Sequence, residues 1–246
     1  MKTFSQSLSK VSQKLLLNSI LWASLGFIIV GGLSIGYSFI MKTYYNDILL
    51  SQAYLISSSV VSVVLVIAAI FLRMYWSFNI VNASWGMIIL NWIIYLFLYT
   101  GILAPLITLI NNPWIVLMAL CITGIVYTIT AIIGYSLMNT KFAISLSKII
   151  MIISFVMLML QIAFLVPMYF YYSFFETWYI IYQVVYSVII IGMTALCFYN
   201  ISNSEYFYQE LDKTTKIKVS LFFALSILNM FVLLFRMILR LFLNFR

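Results

Sequence analysis

Seven long apolar segments, separated by short polar connections, make up most of the chain. A helix needs about 20 apolar residues to cross a bilayer, and each segment is long enough. Helices are favoured over a membrane barrel because the runs are continuously apolar, whereas barrel strands alternate in segments of about ten residues. The predicted spans are 18–41, 54–75, 85–110, 114–138, 147–170, 178–199 and 219 to the C-terminus.

The last apolar segment is interrupted by three polar side chains, Ser226, Asn229 and Arg236. On a helix, spacings of three and seven residues place them within roughly 80° of arc, and Arg240 falls on the same stripe. This pattern predicts a helix with a narrow polar seam. Ser226 lies about 10 Å into the span and should be buried, whereas Arg236 lies about 25 Å along it, where snorkelling to the far interface is expected.

The composition is that of a membrane protein. Of the 246 residues, 65% are hydrophobic and only 7% are charged, whereas a soluble domain carries roughly 25% charged residues. We therefore predict one all-α, polytopic membrane domain over residues 18–246, preceded by a cytoplasmic flank over residues 1–17. Apolar residues recur at helical spacing between the lysines of that flank, which indicates either a short amphipathic interfacial helix or only a charged flank.

The basic residues set the expected orientation. The chain has 13 Lys and Arg against 5 Asp and Glu, but they are dispersed at the ends of apolar segments, so nucleic acid is not an expected partner. Basic residues in short loops favour the cytoplasm. The basic residues on the side of the N-terminus are Lys2, Lys10, Lys14, Arg73, Lys141, Lys148, Lys213, Lys216 and Lys218. The sequence therefore predicts a multi-pass plasma-membrane protein with a cytoplasmic N-terminus and the lipid bilayer as its surroundings.

The C-terminal end fits this orientation less simply. After seven crossings, Arg240 and Arg246 would lie outside the cell, against the rule for basic residues. Either the last segment crosses nevertheless, or it re-enters the membrane and returns.

Few residue types suited to catalysis or metal binding are present. Histidine is absent, and Cys121 and Cys197 lie far apart in apolar runs without metal-ligand spacing. All acidic residues are expected in connecting segments, which excludes an intramembrane aspartyl centre. The acidic residues are Asp47, Glu176, Glu205, Glu210 and Asp212. We expect no enzyme, no cofactor and no metal centre.

Two pairs of residues bear on helix packing. Gly32 and Gly36 form a small-xxx-small pair in the first span, which predicts close approach of a second helix. Gly101 and Pro105 lie inside the third span. Pro105 has no backbone donor and leaves the carbonyl of Gly101 unpaired, so a kink or break is expected there.

Four stretches follow one another between Thr100 and Arg240: YTGILAP (from Tyr99), GYSLMNTKFAISLSKIIM, CFYNISNSEY and NMFVLLFR. Together, their order and spacing resemble the Bax inhibitor-1 family of small seven-span membrane proteins. The resemblance implies a bundle of six helices around the C-terminal one, and a pH-sensitive calcium leak. The first two spans match that family only in hydropathy.

The resemblance also identifies a gate. In relatives, two aspartates share a proton, one after the tyrosine that ends the sixth span and one three residues before the asparagine of the last helix. Here these positions are Asn200 and Ser226. Neither ionises, so the closely spaced carboxylates that titrate near neutral pH are missing. Arg73, at the end of the second span, is expected to hydrogen-bond Asn200.

Three functions follow. The first is a leak for calcium or another cation that lacks the acid-controlled latch. The second is a non-transporting accessory protein that regulates another membrane protein or protease, as the resemblance also implies. A small-solute exporter ranks last because it would have two similar halves around a midplane site, and no internal repeat is evident.

Overall fold

The computed structural model describes residues 10–45, 83–110, 112–170, 172–204 and 211–244, and five single residues of the segment 64–75. Almost all of these residues are helical, and none of them lies in a strand. The long helices are α1 (Lys10–Tyr44), α2 (Trp85–Leu109), α3 (Pro113–Ile132), α4 (Thr140–Phe170), α5 (Tyr172–Asn203) and α6 (Lys213–Asn244). A π-helical turn, Ile133–Leu137, continues α3.

Six helices among the described residues are long and apolar enough to cross a membrane. The prediction of an all-α, multi-pass membrane protein is confirmed to this extent. The predicted second span, 54–75, lies largely outside the described residues, as do residues 1–9 of the N-terminal flank. From Lys10 onward the flank is continuous with α1.

The helices begin where polar side chains accept hydrogen bonds from free backbone N–H groups. Ser84 caps α2 by accepting from Met87 N. Asn112 accepts from Trp114 N at the start of α3, where Pro113 occupies the first helical position. These caps fix where two spanning helices enter the bundle.

Helix α2 does not break at Pro105. It is continuous to Leu109, so a break at this point is wrong, whereas a kink stays a prediction. Only one turn follows the proline, and few hydrogen bonds therefore depend on it. The hydroxyl of Thr108 also donates to Ala104 O at 2.7 Å, within this last turn. Gly101 lies against Leu65, a described residue of the preceding segment.

Helix α6 is the most enclosed of the six candidate spans. In its most apolar window 72% of residues are buried, against 44% in α2 and less in the others. It contacts α1, α2, α3 and α5. A Cβ atom at Gly26 of α1 would lie 2.8 Å from Leu228 and 3.1 Å from Trp92, so α1 packs closely on both α6 and α2.

Helices α1 and α2 run in the same direction. Near their beginnings, Trp22 and Trp92 make an edge contact with ring centroids 6.1 Å apart. Near their ends, Lys42 Nζ donates to Ile110 O at 2.7 Å. One contact joins residues near the starts of the two helices, and the other joins residues at their ends. The two helices are therefore parallel.

The closest helix approach marked by a glycine is at Gly134, in the π-helical turn. A Cβ atom there would collide with the backbone carbonyl of Ala195 in α5. By contrast, a Cβ atom at Gly32 or Gly36 would meet nothing within 4 Å among the described residues. The expectation that this pair brings a second helix close is therefore not met by any helix that the structure describes, and both glycines lie on an exposed face of α1.

Candidate functional site

The two gate positions have different surroundings. Ser226 is only 2% exposed, as predicted, and its hydroxyl donates to Phe222 O of its own helix at 3.1 Å. Asn200 is exposed near the end of α5, where its backbone carbonyl accepts from Ser204 Oγ. Arg73 lies outside the described residues.

Arg236 is buried in the bundle, with 4% of its surface exposed. The expected snorkelling is therefore wrong, because neighbouring helices enclose α6 at this depth. An ionisable side chain held inside a membrane bundle indicates a functional position more often than a structural one.

The polar seam of α6 does not form a separate exposed face. Ser226 and Arg236 are buried, and Asn229 is half-buried. The apolar residues Leu228 and Val232 are buried as deeply. Because other helices cover most sides of α6, its polar residues face protein, as its apolar ones do.

Gln183 is a buried polar residue that the sequence reasoning missed. It lies in α5 with 0% exposure, and neither polar atom of its amide has a hydrogen-bond partner among the residues that the structure describes. It is three residues, less than one helical turn, before Tyr186 of the same helix. A glutamine flanked by apolar and aromatic residues was the available signal.

Glu176 and Asp212, the acidic residues in the described part of the chain, lie at the edges of spans, and the other three acidic residues lie outside that part. Asp212 caps α6 by accepting from Thr214 and Thr215, and these donors hold the pKa of its carboxyl well below its ordinary value of 3.8. Glu176, expected in a connection, lies in α5 ahead of the candidate span that begins at Ile180. Within the described part of the chain, no three His, Cys, Asp or Glu side chains cluster as metal ligands.

An apolar cleft of about 510 Å³ opens between α1 and α3. Leu16, Ile20 and Phe27 line one wall, and Tyr127 and Tyr135 belong to the other. Such a volume is in the range of small-molecule sites. Sequence reasoning missed this cleft, which depends on the spacing of two helices that are distant in sequence.

Tyr127 lies in the α3 wall of the cleft and contacts residues of α5 and α6 at its base, which we call the floor. Its phenol donates to the backbone carbonyl of Ile227 in α6 at 3.1 Å. Its ring meets Phe198 and Phe231 edge to face, with centroids 5.7 and 5.4 Å apart. The four-residue spacing of Tyr127, Ala131 and Tyr135, a small residue between two tyrosines on one helix face, was the signal in the sequence.

Comparison with protein-family models, with curated proteins and with solved structures finds no match to this chain. Function is therefore inferred from the fold and from the side chains described above.

Proposed function

We propose that this chain is an integral plasma-membrane protein of the Bax inhibitor-1 type, with seven spans around its C-terminal helix, whose cation leak lacks an acid-controlled latch. The enclosure of α6 by α1, α2, α3 and α5 supports this arrangement. The uninterrupted course of α6 from Lys213 to Asn244 favours a full crossing over a re-entrant turn.

The parallel packing of α1 and α2 supports a seventh crossing. Helix α1 ends beside Ile110, at the end of α2. The chain must return to Ala83, at the other end of α2, before that helix begins. Ala83 O accepts from Lys218 Nζ at 2.7 Å, so the start of α6 lies at this same end. A crossing between residues 46 and 82 accounts for the return.

The distribution of lysines supports a cytoplasmic N-terminus. Lys14, Lys216 and Lys218 lie near the starts of α1 and α6, at the Ala83 end of the bundle. Lys42 lies at the opposite end, beside Ile110. The basic end is cytoplasmic by the rule for short loops.

The proposal that the acid-controlled latch is missing rests on Ser226. A buried hydroxyl that donates to its own helix does not exchange a proton in the physiological range. The position that in the proposed relatives bears a carboxylate is therefore insensitive to acid. Calcium binding is also weakened, because calcium sites rely on carboxylate oxygens.

A calcium-dye assay in liposomes tests the proposal. The purified chain is reconstituted, and calcium entry is followed from about pH 5 to 8, the range in which a coupled carboxylate pair would titrate. We expect a flux that is independent of pH. A steep response to acid would contradict the absence of a latch, and the lack of any flux would contradict the leak itself.

Arg236 favours a second candidate, the accessory protein that transports nothing. A buried positive charge on the most enclosed helix opposes the passage of cations beside it. Helix α4 is also free to meet a partner, since only 11% of its candidate span is buried. Co-purification of one membrane protein at a fixed ratio, together with the absence of calcium flux, would support this function over the leak.

A further inference from the structure

The cleft between α1 and α3 lies within membrane-spanning segments. Its walls are formed by helices whose outward faces are apolar, including Leu21 on α1 and Ile125 on α3. Lipid therefore surrounds the opening of the cleft. An apolar space that opens to lipid is filled most readily by the hydrocarbon chains already present there.

The height of the cleft matches one leaflet. On α1 it extends from Leu16 to Ile28, roughly 18 Å at 1.5 Å per residue. On α3 it extends from Tyr127 to Ser136, roughly 14 Å. Half of a bilayer's hydrocarbon core is about 15 Å thick. One acyl chain, lying along the helices, would occupy this length.

The two ends of the cleft differ in polarity. Phe27 and Phe231 close the deep end, with ring centroids 4.8 Å apart. The end at Leu16 and Ser136 is close in sequence to exposed lysines: Lys14 precedes Leu16, and Lys141 follows Ser136 in the first turn of α4.

Lys14 and Lys141, which flank the shallow end in sequence, would complement an anion. A lipid in this leaflet would have its phosphate beside the lysines and its chain in the cleft. Anionic headgroups are attracted to basic residues next to a membrane. The same lysines attract a zwitterionic headgroup less strongly, because it has no net charge.

We propose that the cleft binds one acyl chain of an anionic phospholipid, drawn from the leaflet on the side of the lysines. The lysines select the headgroup, and the aromatic floor at Phe27, Tyr127 and Phe231 limits the depth of the chain. This binding does not depend on ion conduction or on the family proposed above.

Photo-labelling in vesicles tests the site. The full chain is reconstituted in phosphatidylcholine vesicles containing a small fraction of phosphatidylglycerol with a diazirine in its acyl chain. Illumination should place label on residues 16–28 and 127–136 above all other lipid-facing segments. Label spread evenly over the exposed faces of the helices would overturn the proposal. Cross-links between two copies of the chain at the cleft would also overturn it, because a second copy would then be the occupant.

A matched pair of variants distinguishes a blocked cleft from a misfolded protein. Ser24 lines the cleft and is exposed, whereas Ser147 is an exposed serine on α4, outside it. Ser24→Phe should lower labelling of the cleft by about tenfold, as expected when a side chain fills an apolar site. Ser147→Phe should leave that labelling unchanged. Equal labelling in both variants would contradict the site, and an unchanged thermal midpoint verifies that Ser24→Phe is folded.

The headgroup is tested by charge and by lipid class. Lys14→Gln should reduce the preference for phosphatidylglycerol over a phosphatidylcholine probe with the same chain, while Lys148→Gln on α4 should not. Equal labelling by both probes would overturn the anionic selection. Competition by unlabelled phosphatidylglycerol supports a phospholipid, whereas displacement only by free fatty acid would overturn it.

Discussion

The phenol of Tyr127 donates to the carbonyl of Ile227, one hundred positions later in the chain, at 3.1 Å. This hydrogen bond holds α3 against the most enclosed helix, next to the floor of the cleft. It places a polar group where bilayer water is absent, so its loss leaves no solvent to replace it.

Replacing Tyr127 with Phe should lower the free energy of unfolding by about 0.5–1.5 kcal/mol, since it removes one hydrogen bond and keeps the ring. Unfolding in mixed micelles titrated with dodecyl sulfate measures the change. Tyr199→Phe is the control, because that phenol donates to Thr140 Oγ1 at an exposed site and should matter less. An equal decrease in the free energy of unfolding in the two variants would show that the Tyr127 hydrogen bond stabilises the protein no more than the exposed one does.

Gly134→Ala should be among the most destabilising single-methyl additions in the chain. The new Cβ atom would collide with the carbonyl of Ala195, a backbone atom that cannot turn away. Overpacking of this kind costs about 1–3 kcal/mol. Gly124→Ala, on the same helix with nothing within 4 Å, should be neutral or slightly stabilising. A neutral Gly134→Ala variant would contradict the close contact between the π-helical turn and α5.

Asn200→Asp combined with Ser226→Asp restores both acidic positions of the proposed family. We expect calcium flux that depends on pH in this variant, because two interacting carboxylates titrate together. Asn200→Asp combined with Ser226→Asn is the matched control, similar in size but with one acid only. If both variants show the same flux at every pH, the alignment of Ser226 with the family's aspartate is wrong.

Asp212 should stabilise α6 equally at every pH from about 5 to 8. The Thr214 and Thr215 donors lower the pKa of its carboxyl below the ordinary value of 3.8, so its contribution is complete above that value. The contribution is lost only as the pH falls toward the lowered pKa. Asp212→Ala should lower the thermal midpoint by the same amount at both ends of this range, and Asp212→Asn should retain most of the cap.

Reporter fusions test the number of crossings. With seven spans, a reporter at the N-terminus and one at the C-terminus should lie on opposite sides of the membrane. Protease protection in sealed vesicles of known orientation reads both. Finding both reporters on one side would contradict the proposed seventh span.

The fold was largely predictable where it depends on local pattern. The apolar run predicts a third span that begins at Trp85, where α2 begins, and the structure shows Ser84 as its cap. The burial of Ser226 was also anticipated from its depth in the last helix. Long apolar runs and their caps are properties of neighbouring residues, so the sequence contains them.

Relations between distant helices were not predictable. Gly32 and Gly36 match a packing motif but meet none of the described helices, whereas Gly134 stands alone in sequence and meets Ala195. Arg236 was expected at the interface because the prediction used its depth along α6 and not the neighbouring helices that bury it. In each case the deciding partner comes from another helix, which helical spacing does not identify.

Helix α6 follows the other five long helices in the chain and is synthesised after them, yet it covers surfaces on four of them. Until α6 has been synthesised, Gly26 and the Tyr127 phenol lack the partners that α6 supplies to them. The earlier helices already contact one another, as α1 and α2 do, but they lack the helix that they share until α6 is made. A stop before Lys213 would remove the contacts that α6 makes with four earlier helices.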